Sequence, residues 1–427
     1  MQCSVIIPAY NSAAFLPQAL DSLLSQTMDD FEVVIVNDGS TDNTQEIIDA
    51  YCARDARIRC FTQENAGVSA ARNRALLEAN GDYVTFLDAD DYYAPDTLAA
   101  FCKKAKETGA DLILGRLCMV AQGKPPYFHD AADVLAREET IDTFDKRLLW
   151  NFLVSNKCYR RAFLLEHGVQ FPATGFSEEG AFFMDAVFAG ATMAGAADSV
   201  VYYRRHTEEE GLSVSQTASE KNLRSLDGSM RRIYASAEQA LREAARQDDD
   251  YLQEILYKHL HILQSQFYRA MWRMTDDTLA LCASQMETLL QRLTDAKRDA
   301  IQRANADLRL PDLAKTKTEA ASRPQAIFFV TRFCSKEAAA ALFAQTCPLF
   351  QLVLTETAAK DLPPELRALP NIQIGGPDAS GGAPVLRFAS LPALDPALLQ
   401  TLLRFPVPKT ALAAKGLDLL LKRRHSA

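Results

Sequence analysis

The chain has 427 residues, with 46 Lys and Arg against 55 Asp and Glu and a formal net charge of -9. That length exceeds what one ordinary hydrophobic core organises and predicts two or three units, while the acidic balance argues against a general nucleic-acid binder, which needs a basic face to release phosphate counterions. Nine cysteines lie scattered without a Cys-x-x-Cys pair, which argues against a zinc ribbon or a dense disulfide framework and reads as reduced thiols in a cytoplasmic protein.

Short β-rich runs alternate with amphipathic helices from residue 3 to about 114, the pattern of parallel βαβ units. Ser4 to Ile7 reads as the first strand, entered too early for a signal segment. Phe15, Leu16, Ala19, Leu20, Leu23 and Leu24 then form one apolar helical stripe. Glu32 to Asn37 is the second strand, followed by a helix from Asn43. Arg57 to Thr62 is the third strand, Val68 to Ala79 a helix and Tyr83 to Leu87 the fourth strand. Pro95 opens a helix toward Thr108, and Asp111 to Gly115 is a further strand. Beyond it the spacing predicts helices over Thr143 to Leu153, Arg161 to His167 and Glu179 to Gly190, then a strand from Ser199 to Tyr203. The longest weakly polar stretch, Ala186 to Ala197, is well short of the roughly 20 residues that span a bilayer.

From 217 to 320 the composition turns to Ala, Gln, Glu, Arg and Leu with helical periodicity, predicting a helical linker or bundle. Residues 321–427 return to strand-like runs at Ala326 to Val330 and Gln351 to Thr355, joined by an Ala-rich helix. The run Leu342 to Phe350 follows the pattern of Leu23 to Phe31, and Val385 to Phe388 echoes the fourth strand. Thr357 stands where Asp38 would be, and Ala389-Ser390-Leu391 stands near the place of the acidic cluster. This small α/β unit reads either as a degenerate partial repeat of the N-terminal half or as a chance likeness between βαβ units. The basic end Leu417 to His425 reads as a solvated terminus complementing a helix dipole, or as a peripheral contact with an anionic membrane.

Two acidic groups directly follow buried-strand patterns: Asp38 in Asp38-Gly39-Ser40-Thr41-Asp42, and Asp88-Ala89-Asp90-Asp91. Open α/β sheets bind ligands outside the carboxyl ends of their strands, so these acids point to a nucleotide and metal site. Asp90 can hold a hard cation through oxygen, and Asp38 and Asp88 can accept hydrogen bonds from a base or sugar; taken alone, such turns are also common as solvated loops. Pro8-Ala9-Tyr10-Asn11-Ser12 after the first strand holds no glycine, against a dinucleotide fingerprint, and no phosphate-cradling Gly-x-x-x-x-Gly-Lys-Ser/Thr occurs.

Four segments in order, Ser4 to Asn11, Val34 to Asp42, Asn65 to Asn73 and Phe86 to Asp91, resemble the successive motifs of glycosyltransferase family 2. The likeness is dense over residues 3–100 and thinner to about 216. It implies an α/β chain whose residues 1–216 form a GT-A type Rossmann-like mixed sheet with helices on both faces, followed by the helical region and the small C-terminal α/β unit. The implied activity is inverting transfer from a nucleotide-diphosphate sugar, UDP-linked by the family's habit, to a hydroxyl of a glycan or lipid-linked acceptor in bacterial surface polysaccharide synthesis. A divalent ion, Mn or Mg, is implied as cofactor. By the same likeness Pro8, Tyr10, Asp38, Asn65, Arg72 and Asp88 would line the nucleotide, with Asp90 and His206 on the metal. Arg72 would either favour an anion or anchor the neighbouring acidic turn.

Asn156-Lys157-Cys158-Tyr159-Arg160-Arg161 and Glu178-Glu179-Gly180-Ala181-Phe182 resemble the family's second-half markers, whose catalytic base is an Asp; here Glu179 holds that place. The longer side chain and the acidic insertion Thr207 to Glu210 after His206 motivate an alternative, a catalytically decayed nucleotide-sugar or glycan-binding module.

Overall fold

Strand β1 (Cys3–Ala9) runs through the middle of a parallel sheet and is buried along almost its whole length, as expected for an apolar run covered on both faces. It pairs in parallel with β2 (Phe31–Asn37), from Cys3 opposite Phe31 to Ala9 opposite Asn37. On its other side it pairs in parallel with β4 (Tyr83–Phe86), and β3 (Ile58–Thr62) lies outside β2. Helices α1 (Leu16–Leu24), α2 (Thr44–Arg54) and α3 (Val68–Glu78) make the crossovers. Asp38 therefore leaves the sheet on one side of Tyr10 and Asp88 on the other, one strand spacing of about 4.8 Å away in each direction. The structure, a computed structural model, describes residues 2–121, 123, 125–205, 219–263, 265, 276–304, 326–334, 350–354, 372–374 and 385–391.

Past β4 the direction changes. The chain continues through β5 (Tyr92–Tyr93), α4 (Thr97–Thr108), β6 (Leu112–Ala121), β7 (Tyr127–Phe128), α5 (Asp130–Leu135), β8 (Lys157–Arg160), α6 (Arg161–Glu166), α7 (Glu178–Phe188) and β9 (Met193–Arg205). The sheet order is β3-β2-β1-β4-β8-β6-β9-β5, with β7 paired to β6. Strand β8 is antiparallel to both of its neighbours, so the sheet is mixed, as expected from the family resemblance.

Several local expectations are corrected. The helix expected over Thr143 to Leu153 is only a 3-10 turn at Lys146–Trp150, opened by Asp145, whose side chain accepts the Arg147 amide, and the following segment is irregular. Strand β6 runs on to Ala121. Strand β9 begins at Met193, inside a run of Ala and Gly with little β propensity, because that run pairs in register with Leu112 to Gly115. Strand β8 was not expected at all.

Two compact units divide the chain: residues 1–217 with 224–259, and residues 218–223 with 260–427. Helices α8 (Glu220–Glu243) and α9 (Asp249–Ile262) follow the sheet, then α10 (Asp276–Arg292) and α11 (Asp295–Ala304). The second unit holds a four-stranded parallel sheet of β10 (Ala326–Cys334), β11 (Phe350–Leu354), β12 (Ile372–Ile374) and β13 (Val385–Leu391), in the order β12-β11-β10-β13. Among the described residues no helix is long and apolar enough to cross a membrane. The Ala-rich helix expected after β10 and the basic end at Leu417 to His425 lie outside the described residues.

Candidate active site

The rim above β1 is built by loops that hold one another. Asn11 accepts from the Thr41 amide at 2.7 Å and gives its own amide to Ser40 Oγ, while the Ala13 amide binds Asp42. Asn11 sits at φ 48°, a left-handed conformation that asparagine tolerates better than most residues. Gly39, at φ 74°, has no room for a side chain, since a Cβ would stand 2.9 Å from the Asn65 amide nitrogen. That close approach lets the buried Asp38 carboxylate collect Gln63 Nε2 at 2.7 Å and the Ala66 and Gly67 amides at 2.9 and 2.8 Å. The anion met by the amides just before α3 is thus Asp38 itself.

Helix α3 then organises the acids. Arg72 is buried, and its Nη2 donates to Asp88 Oδ1 at 2.6 Å and to Glu179 Oε1 at 2.7 Å, while Nη1 donates to Glu178 Oε1 at 3.2 Å. Its guanidinium lies 5.1 Å from the Phe171 ring centroid. One turn before it Ser69 donates to the Thr174 carbonyl, and the adjacent Asn73 makes a two-way bond to the Phe171 backbone, so the same helix tethers the segment leading into α7. Ser177, at φ 62°, turns the chain in the left-handed region just before that helix begins. Of the two readings open for Arg72, the geometry is that of the anchor.

Glu179 completes its contacts by accepting the Val154 amide on Oε2 at 3.1 Å. The helix that carries it joins an aromatic cluster: Phe171 and Phe182 stack at 3.9 Å, with Phe86 and Tyr159 edge-on to Phe182. Burial there pushes the Glu179 carboxyl up to about 7; Arg72 pulls against this, while Asp88 and Glu178 push further. Glu178 is also raised, by burial first.

Asp88, Asp90 and Asp91 occupy one tight turn, closed by the Asp91 amide bonding the Asp88 carbonyl. Asp91 is a member that the sequence reading passed over, although it lay in the same acidic cluster. It is buried, its Oδ1 accepts the Arg204 amide at 2.8 Å, and its Oδ2 has no hydrogen-bond partner. Burial, then Asp90 and Asp88, push its carboxyl well above the usual range. One oxygen from each of the three acids falls within 4.8 Å of the others. An all-oxygen donor set with mutual repulsion and an orphaned buried carboxylate oxygen fits a hard divalent cation.

The structure therefore brings Asp38, Asp88, Asp90, Arg72 and Glu179 to one rim. Pro8 is half-buried in β1, Tyr10 stands 50% exposed just beyond it, and Asn65 is exposed on the loop that Asp38 holds. His206 lies outside the described residues. The Val154 amide had no signal in the sequence, since every residue but proline carries one.

The family model for glycosyl transferase family 2 matches residues 4–168. Glycosyltransferase GlyA of Streptococcus pneumoniae is 42% identical over 131 residues, 30% of this chain and 19% of that protein. The poly(ribitol-phosphate) beta-glucosyltransferase of Bacillus spizizenii is 28% identical over 242 residues, 55% of this chain and 37% of its own length, so the chain spans well under half of either relative. S. aureus TarS 1-349, solved in complex with UDP-GlcNAc, superposes with a TM-score of 0.55 at 24% identity, covering 70% of this chain and 83% of that one. Motifs, mixed sheet and matches agree: the chain carries a glycosyl transferase family 2 domain with the GT-A fold.

Proposed function

We propose that the chain is a metal-dependent inverting glycosyltransferase that moves a sugar from a UDP-sugar to a hydroxyl of a glycan or lipid-linked acceptor in bacterial surface polysaccharide synthesis. The observation that carries this reading is the single Arg72 nitrogen that binds both Asp88 and Glu179, because it sets the candidate donor acids and the candidate base side by side. A relative acting on poly(ribitol phosphate) and a fold neighbour solved with UDP-GlcNAc support the acceptor and donor classes.

In this reading Tyr10 packs on the base, Asp38 holds the loop that borders it, and Asp88 meets the ribose. A divalent cation held by Asp88, Asp90 and Asp91 would offset the charge of the diphosphate leaving group. The acceptor oxygen attacks the anomeric carbon from the face opposite the diphosphate. As the new C–O bond forms, the bond to the phosphate oxygen breaks and the hydroxyl proton passes to Glu179, so the configuration inverts. A carboxyl tuned to about 7 is matched to that proton near neutral pH. Arg72 and the Val154 amide fix the carboxylate while it waits.

For the second unit, the supporting observation for a degenerate copy of the nucleotide half is its strand order. It places third, second, first and fourth strands side by side in parallel, as in β3-β2-β1-β4.

The test is manganese-dependent hydrolysis of a panel of nucleotide sugars without acceptor, alongside calorimetric binding of the matching diphosphates. Turnover that is lost in Glu179→Ala supports the enzyme. Nucleotide binding without turnover of any donor favours the decayed binding module instead.

A further inference from the structure

Lys157, the second residue of the Asn-Lys-x-Tyr-Arg-Arg segment, has no part in the mechanism above, yet it is wholly buried. Burying a lysine is unfavourable unless its head group finds partners, and burial lowers its proton affinity well below the ordinary lysine range. Its contacts are specific. Nζ stands 4.4 Å from the Phe183 ring centroid, donates to Asn156 Oδ1 at 3.0 Å and donates to the Leu153 carbonyl. Asn156 is itself fixed, its Nδ2 bonding the Gly115 carbonyl at 2.7 Å.

The Leu153 carbonyl and the Val154 amide are two ends of one peptide group. That group is planar and trans, so its C=O and N–H point in opposite directions. At one end sits Lys157 Nζ; at the other the N–H donates to Glu179 Oε2. Hydrogen bonds in series polarise one another, and a donor on the carbonyl makes the amide a stronger donor to the carboxylate. Nζ can donate in either protonation state.

We propose that Lys157 is the positioning residue for Glu179, fixing and polarising the Leu153–Val154 peptide so that its N–H holds the carboxylate in place. This rests on reading Glu179 as the base. The other groups that act on Glu179 are Arg72 from α3, Asp88 and Asp91 from the turn after β4, Glu178 from its own helix and Tyr159 from β8, and Lys157 also attracts it directly through space; of these only Lys157 is hydrogen-bonded to that carbonyl.

The experiment is an infrared pH titration of the full chain, following the carboxylic-acid C=O band that disappears in Glu179→Gln. In the wild type the band should titrate near about 7. Lys157→Met should raise that midpoint by roughly half to one unit, a three- to tenfold gain in proton affinity. Affinity for UDP with manganese should stay within about twofold. Lys157→Gln removes the charge but keeps a shorter donor, and should give a smaller rise in the same direction; it carries the test if the methionine variant does not fold. An unmoved midpoint in a folded variant overturns the proposal, as does a fall in UDP affinity as large as the gain in proton affinity at the carboxyl, which would make Lys157 a general structural residue. The titration needs no turnover, so a wild type inactive on every donor would sink the proposed function and still leave this inference decided by the band. With an active donor, the acid limb of the rate profile should move with the midpoint.

Discussion

A carboxyl group that takes a proton from a hydroxyl works best when its own proton affinity lies near the working pH, and burial carries Glu179 there, to about 7 from an ordinary 4.5. The same shift has a consequence for folding. The folded chain binds the proton more tightly than the unfolded one, so Glu179 weakens stability progressively as pH rises from about 4.5 to about 7, and by a constant amount above that. Glutamine mimics the protonated form at every pH. Glu179→Gln should therefore match the wild type in urea denaturation at pH 4 and exceed it at pH 8, by on the order of 2 to 3 kcal/mol. An advantage independent of pH would mean that burial does not set this carboxyl. The length of the side chain matters separately. Glu179 reaches Arg72 with one oxygen and the Val154 amide with the other, and an aspartate falls short of both by about one bond. Although aspartate is the residue the family resemblance leads one to expect, Glu179→Asp should lower donor turnover by about 10- to 100-fold; equal or faster turnover would show that the pocket tolerates either length.

Those two contacts come from different elements, and the fit between the elements decides them. The first turn of α7 packs against the segment at 151–156 through Gly180, where a Cβ would stand 2.6 Å from the Phe152 ring. In Gly180→Ala the ring must move, and the Val154 amide two residues on moves with it. The expected result is a fall in turnover of about tenfold with little change in the calorimetric affinity for UDP, since Asp38 is held by Gln63 and the Ala66 and Gly67 amides and Asp91 by the Arg204 amide, none of them in that segment. A parallel loss of nucleotide affinity would count against that division. The same segment marks where reading the sequence stops being informative. Strands β1, β2 and β4 were legible because continuous apolar runs have few other uses, and the acids at their ends were legible because they follow those runs. The start of the segment at 151–156 fell inside the helix expected over Thr143 to Leu153. It is irregular because it spends a backbone amide on Glu179 and a carbonyl on Lys157, and no side-chain pattern announces such use of the backbone. Strand β9 was half-missed for a related reason: an Ala and Gly run becomes a strand when a partner strand is already present, here β6. Asp91 was in plain view, but its burial comes from the tight turn and from β9, which only the tertiary structure brings together.

At the scale of the whole molecule, the second sheet raises the question of whether the chain has one nucleotide site or two. Its four strands are all parallel and repeat the order of β3-β2-β1-β4, and the start of its first strand meets Phe350 as Cys3 meets Phe31. Parallel sheets of this order offer a ligand crevice at their carboxyl ends whatever their sequence, so topology alone would allow two sites. Chemistry does not: the places taken by Asp38 and the Asp88 to Asp91 turn correspond to Thr357 and the Ala389 to Leu391 stretch, which offer no carboxylate. Without those carboxylates the second sheet has no counterpart of the acidic turn to hold a divalent cation under a diphosphate. Calorimetric titration of UDP in the presence of manganese should give one site per chain, and Asp90→Asn should weaken that site by at least tenfold and abolish the thermal stabilisation that manganese gives the wild type. Two sites per chain, or manganese stabilisation that survives Asp90→Asn, would place nucleotide or metal binding outside the acidic turn and remove the reason for reading the second sheet as a copy that has lost its chemistry.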